Sequence, residues 1–252
     1  MIIQQIRNAT VKIRYHGITF LIDPWLQDRG TGFSAKAIKP EMQGVPCPIN
    51  DLPDSPEKIL SEVQLCLVTH LHFDHFTSDY LSKHMEIVAQ NEYDAGQIHA
   101  MGFEAVKWFE SDTIQIGNIT IHKVEAIHGE NEAVAKKMGE ACGYVFEASD
   151  EKTLYIAGDT VYCQAVVNVI NQHQPEVILL NCCGATVPMG RLIMDLGDVE
   201  AVCQAASQAT VIASHLDSVN HAMVTSDDVR AFVLKKGFSQ IIVPQNGESI
   251  EI

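Results

Sequence analysis

Three imidazoles and one carboxylate stand within six consecutive residues, His70-Leu71-His72-Phe73-Asp74-His75, directly behind Thr69 and the apolar run Val63 to Val68. A strand that ends in a tight loop presents all four side chains at one point. Imidazole and carboxylate are the usual ligands of zinc and similar divalent cations. Four such groups are more than one compact site takes from a single loop. The spacing therefore points to two metals side by side, a common hydrolytic arrangement.

Further ligands for such a pair are sought just after other strands, where loops gather at one end of a sheet. Three residues have that placement: His128 after the run Ile119 to Ile127, Asp159 in Gly158-Asp159-Thr160 after Leu154 to Ala157, and His215 after Val211 to Ser214. His221 rivals His215, although strand-end placement favours the latter. With Asp217 and Asn220, His221 is a candidate for substrate contact or proton transfer. Arg191, in the loop 184–197, could clamp an anionic substrate group. Trp25 and Phe33 could line the pocket. The unclustered His16, His84, His99, His122 and His173 read as structural or surface residues. Cys182 and Cys183 read as small buried thiols at a strand end.

These residues and their order resemble the metallo-β-lactamase fold superfamily, in the branch that includes ascorbate-6-phosphate lactonase and related uncharacterised hydrolases. The resemblance spans nearly the whole chain. It rests on Asp23 in Ile22-Asp23-Pro24-Trp25, on the motif 69–75, on His128, on Gly158-Asp159-Thr160 and on His215. It implies a single domain over 1–252, an α/β (α+β) four-layer αββα sandwich with two mixed sheets flanked by helices. It also implies a division of labour. His70, His72 and His128 would hold one metal, Asp74, His75 and His215 a second, and Asp159 would bridge them. Asp23 would lie beside the ligands and orient them. Zinc is the first expectation, with manganese or iron as alternatives. A hydroxide shared by the two cations would attack the substrate, with Asp74 and Asp159 serving the reaction and His221 available for proton transfer. The expected reaction is hydrolysis of a small-molecule ester, lactone or phosphodiester.

Two other readings stand beside it. Persulfide dioxygenases share the histidine-rich run and use a single iron. A metal-binding protein without turnover is the third, against which the complete ligand set argues. His72 stands where flavodiiron relatives carry glutamate, which favours hydrolysis. Arg7-Asn8-Ala9-Thr10 departs from the Gly-His-Ala-Thr of many relatives.

Bulk properties narrow the partners. The net charge of −15, with only 17 basic residues, disfavours nucleic acid, whose binding rests on lysine and arginine at phosphates. No apolar run approaches the ~20 residues of a membrane helix. The N-terminus lacks a basic n-region and a small-residue cleavage site, and the seven cysteines show no disulfide framework. A cytoplasmic setting and a small-molecule substrate are expected, and a homo-oligomer is compatible with the resemblance.

Periodicity predicts a hairpin or meander over 2–23, then a flap or rim over 26–56, too long for a plain connection. A helix opens at Pro56-Glu57. Strands are expected over 64–69, 86–89, 105–108 and 113–126 (a pair), with helices over 78–84 and 93–101. Paired strands over 144–148 and 153–157, a helix over 163–172 and a strand over 177–181 follow. The chain closes with a helix over 199–209, a strand over 211–214, a helix over 226–236 capped by Ser226, and a last strand over 241–243. No internal repeat is evident.

Overall fold

The computed structural model describes residues 1–252. In chain order the strands are β1 (Ile2–Arg7), β2 (Thr10–Tyr15), β3 (Ile18–Ile22), β4 (Leu65–Val68), β5 (Glu86–Ala89), β6 (Val106–Trp108), β7 (Thr113–Ile116), β8 (Ile119–Ala126), β9 (Ala141–Glu147), β10 (Leu154–Ile156), β11 (Val177–Asn181), β12 (Thr186–Val187), β13 (Gly190–Arg191), β14 (Thr210–Ser214), β15 (Ile241–Ile242) and β16 (Ser249–Glu251). The helices are α1 (Pro56–Leu60), α2 (Glu92–Ala100), α3 (Glu132–Met138), α4 (Gln164–His173), α5 (Leu196–Ala205) and α6 (Ser226–Lys236).

Two seven-stranded sheets carry the fold, in the orders β16-β1-β2-β3-β4-β5-β6 and β15-β14-β11-β10-β9-β8-β7. In the first, three antiparallel pairings run from β16 to β3 and three parallel ones from β3 to β6. The second repeats that pattern, antiparallel from β7 to β10 and parallel from β10 to β15. The two halves are thus built alike, although no repeat is visible in the residues themselves.

Three apolar layers separate four structural ones. The inner core joins Ile13, Phe20 and Leu67 of one sheet to Ile121, Tyr144 and Leu179 of the other. Val166, Val202 and Val229 press α4, α5 and α6 onto the outer face of the second sheet. Ile59 and Ile98 press α1 and α2 onto the outer face of the first. β4 and β11 are buried at every residue, which is why they read as unbroken apolar runs. The αββα expectation therefore holds. No helix is long and apolar enough to cross a membrane.

Local differences have physical reasons. Residues 78–84 form turns rather than a helix: Leu81 alone is buried there and Tyr80 has φ 63°, so no apolar stripe exists to dock one. α3 was not anticipated; Asn131 caps it by accepting from the Val134 N–H. α6 is capped by Thr225, not Ser226, through a capping box with Asp228. The last strand is β16, which pairs with β1 and closes the first sheet.

The long segment 26–56 is tied down at several points. Arg7, wholly buried, donates to the carbonyls of Trp25, Gln27 and Asn50. Asn220 donates to the carbonyls of Ala35 and Met42 and accepts from the Ala35 N–H. Trp25 belongs to the core.

Candidate metal centre

The carboxyl ends of β1, β3, β4, β8, β10, β11 and β14 face one edge of the sandwich. That edge is where open α/β sheets gather ligand-binding loops. Asn8, Asp23, His70, His128, Asp159, Cys183 and His215 all sit just beyond those ends. Asn8, Asp23 and His215 hold left-handed backbone (φ 55°, 46° and 61°), a conformation non-glycine residues keep only where the surroundings enforce it. Gly158 requires its lack of side chain. Its φ is 66°, and an added Cβ would collide with the Cys142 carbonyl oxygen.

The ligand-type atoms fall into three overlapping groups, each within 4.8 Å: His70, His72 and His128; His70, His75 and Asp159; and Asp74, His75 and His215. Asp159 stands between the outer two. Its Oδ2 is 3.2 Å from His75 Nε2 and 3.5 Å from His128 Nε2, and its Oδ1 is 3.9 Å from His215 Nε2. Asp74 Oδ2 is 3.2 Å from His215 Nε2.

Each imidazole is held from outside by one nitrogen and turns the other inward. His72 Nε2 donates to the Met138 carbonyl (3.0 Å) and His128 Nδ1 to the Leu192 carbonyl (3.0 Å), so the protons sit on those nitrogens. His75 Nδ1 donates to Asp23 Oδ2 at 2.8 Å. Thr69 Oγ1 donates to the same carboxylate and accepts from His70 Nδ1 at 3.0 Å. His215 Nδ1 faces Cys183 Sγ at 3.4 Å. Nε2 of His70 and Nε2 of His75 are buried without any hydrogen bond. Buried polar nitrogens are rarely left so; the lone pair of His70 suits a cation as it stands, and His75 offers one once a cation displaces its proton.

The two flanks differ electrostatically. Burial holds His70 well below the usual histidine range and His128 down to about 4, so both rings are neutral. Burial also works against charge on His75, but Asp159 and Asp23 outweigh it and raise that ring to about 10. His215 is raised as well: Cys183, Asp159 and Asp74 overcome its burial. Burial alone would raise the Asp74 and Asp159 carboxyls. The imidazoles of His215 and His75 outweigh it and keep both ionised.

His221 lies beside this centre. It is neutral because burial lowers its pKa, and its Nδ1 is buried without a hydrogen bond. Its ring is 6.2 Å from Phe33, which in turn is 6.2 Å from Phe73, a ring left 71% exposed. A cleft of about 420 Å³ opens beside His70 and His72, lined also by Tyr93 and Asp94. That volume lies in the ~300–1,000 Å³ range of small-molecule sites.

Two expected substrate residues are otherwise engaged. Arg191 donates to Asp198 and to the Ile193 carbonyl and pairs with Asp195. Asn220 spends its amide on Ala35 and Met42. Cys182 and Cys183 are buried as expected, and the contact of Cys183 with His215 was not foreseen. Asn181 gives no signal in the sequence, and Asn8 stands out only as the departure from Gly-His-Ala-Thr. Asn8 Nδ2 lies 3.2 Å from His215 Nε2, and Asn181 Nδ2 donates to Asp159 Oδ1 at 2.7 Å.

Residues 19–216 match the family model of the beta-lactamase superfamily domain. The chain belongs to the beta-lactamase superfamily, and within it to the UPF0173 family of metal-dependent hydrolases. It is 40% identical to UPF0173 protein YddR of Bacillus subtilis over 99% of both chains. Among solved structures it is similar to an isothiocyanate hydrolase from Delia radicum gut bacteria, with 33% identity, a TM-score of 0.93 and coverage of 100% and 99% of the two chains. A possible metal-dependent hydrolase from Veillonella parvula is similarly close, at 32% identity and a TM-score of 0.94, with the same coverage.

Proposed function

We propose that this metal-dependent hydrolase holds two divalent cations, zinc in the first place, and cleaves a small uncharged substrate at an electrophilic carbon. The observation that carries the reading is the inward convergence of imidazole nitrogens from five histidines, two of them buried with no hydrogen bond. His70, His72 and His128 would hold one ion and Asp74, His75 and His215 the other, with Asp159 shared. When bound, such a pair supplies a Lewis acid for the substrate oxygen or sulfur and a water acidified towards neutral pH.

The protein's own groups do the rest. Asp23, Thr69 and the carbonyls of Met138 and Leu192 fix the ring orientations before any ion arrives. Asp74 and Asp159 stay ionised and accept hydrogen bonds. His221, neutral and facing Phe33, offers the substrate one N–H and one lone pair.

The substrate class follows from what surrounds these groups. Phe33 and Phe73 form an aromatic wall, while the guanidiniums of Arg7 and Arg191 are spent inside the protein. Neither guanidinium is free to clamp a phosphate, which favours an ester, lactone or isothiocyanate carbon over a phosphodiester. The isothiocyanate hydrolase relative supports that choice.

The test is metal analysis of the purified protein, followed by assay of benzyl isothiocyanate, phenyl acetate, dihydrocoumarin and bis(4-nitrophenyl) phosphate. About two equivalents of zinc or manganese, with turnover of a carbon electrophile ahead of the phosphodiester, is the expected result. About one equivalent of iron, with oxygen uptake on addition of a persulfide, would overturn the reading.

A further inference from the structure

Away from the centre, three more ligand-type side chains converge. His122 on β8, Glu147 at the end of β9 and His173 in the last turn of α4 each bring one ligand atom to within 4.8 Å of the others. His122 Nε2 is 3.2 Å from Glu147 Oε2, and His173 Nδ1 is 2.8 Å from Glu147 Oε1. The two rings lie 4.9 Å apart, tilted by 50°.

Strand register explains the meeting. Along β8 and β9, Thr120 faces Glu147 and His122 faces Val145, so His122 and Glu147 are diagonal neighbours on one face. Val145 packs from that face into the core with Val166 and Val169 of α4. The last turn of the same helix delivers His173. Across β7, Thr113 stands directly opposite His122, and its Oγ1 lies 3.2 Å from His122 Nδ1. The ring is thus held from outside by one nitrogen and turns the other towards the carboxylate, as the histidines of the main centre do.

We propose that His122, Glu147 and His173 form a second, separate site for a divalent cation of the zinc class, which ties the end of α4 to the sheet beneath it. Two imidazoles and a carboxylate select zinc, nickel or copper over magnesium or calcium, which prefer all-oxygen shells. Three protein ligands leave a fourth position for water. Glu147 is ready to ligate. Burial would raise its carboxyl, but the hydrogen bonds from His173 and His122 hold it below the ordinary range. The site is reached from solvent. The side chain of Glu147 is 39% and that of His122 25% exposed, and a cleft of about 330 Å³ borders both histidines. Asp112 and Asn168 also line that cleft.

The test starts from protein whose main centre is saturated with zinc, to which more Zn²⁺ is added in a calorimeter. Wild type should take up about one further equivalent and melt at a higher temperature with it. His122→Gln, Glu147→Gln and His173→Gln should each weaken that uptake at least tenfold, roughly the minimum effect of disturbing even a ligand's outer partner, and leave hydrolysis by the loaded enzyme unchanged. An Asp159→Ala protein should keep the additional site, which separates this outcome from any failure at the main centre. Equal uptake by wild type and all three variants would show a hydrogen-bonded cluster and no ion site. Long-range ¹H–¹⁵N spectra of wild type give a reading that does not depend on the variants folding. Unmoved imidazole nitrogens of His122 and His173 on zinc addition would likewise sink the proposal.

Discussion

Oδ2 of Asp23 accepts the Nδ1–H of His75 at 2.8 Å, while Oδ1 of the same carboxylate accepts the backbone N–H of Thr69 at 2.7 Å. One side chain after β3 thus anchors the start of the histidine-rich loop and decides which nitrogen of its last histidine faces the centre. Asp23→Asn keeps the shape but offers only one acceptor oxygen for these donors. Metal affinity should fall about 10- to 100-fold, measured by competition with a chromogenic chelator, with the circular dichroism spectrum retained. Unaltered affinity would mean that the ring is oriented by packing alone.

Asp159→Ala removes the only carboxylate placed between the two flanks. The variant should bind about one ion or fewer in place of two, lose hydrolysis to background, and keep its far-ultraviolet spectrum. Retention of two ions with full turnover is incompatible with a shared carboxylate.

The unequal protonation of the flanks predicts loading in two stages. A proton on His75 persists up to about 10 in the metal-free protein, so a cation must displace it. Affinity at that flank therefore drops as pH falls below that value. His128, lowered to about 4, imposes no such cost above pH ~5. Metal content at limiting free zinc should rise from about one equivalent near pH 6 to two near pH 8, with proton release seen by calorimetry in buffers of different ionisation enthalpy. A pH-independent stoichiometry would contradict the asymmetry.

Gly158→Ala places a methyl group against the Cys142 carbonyl at positive φ. The cost should exceed about 1 kcal/mol, lowering Tm by at least ~2–4 °C, and metal uptake should fall with it because Asp159 follows directly.

Phe33→Ala removes the ring between Phe73 and His221. KM for an aromatic carbon electrophile should rise about tenfold, the loss of roughly 1.4 kcal/mol of contact, with kcat little changed. An unchanged KM for benzyl and phenyl substrates would place the binding surface elsewhere.

What could be read from the residues was local. The motif 69–75 and the strand-end positions of His128, Asp159 and His215 were legible because each polar residue ends an apolar run. The layered fold was legible for the same reason, since buried strands such as β4 show no alternation. Contacts made by tertiary approach were not. Arg191 looks like a free loop cation until Asp195 and Asp198 are seen beside it. Neither His122 nor His173 hints at the other, because only the β8–β9 register and the length of α4 bring them together. The pairing of β16 with β1 joins opposite ends of the chain, and its short segment carries no pattern that names its partner.

Asn220 holds Ala35 and Met42 of the segment 26–56, and its neighbour in sequence, His221, faces the ring of Phe33. The aromatic ring of Phe33 and the histidine that faces it are therefore one mechanical piece, assembled before any substrate arrives. Grafting residues 26–56 from a relative should fail to transfer substrate preference unless the residues that clamp the segment, Arg7 and Asn220, find their carbonyls in the new loop. A change of preference through single residues on that frame, Phe33 first among them, needs no such accommodation. In this architecture the route to new substrates runs through point substitution, not loop exchange.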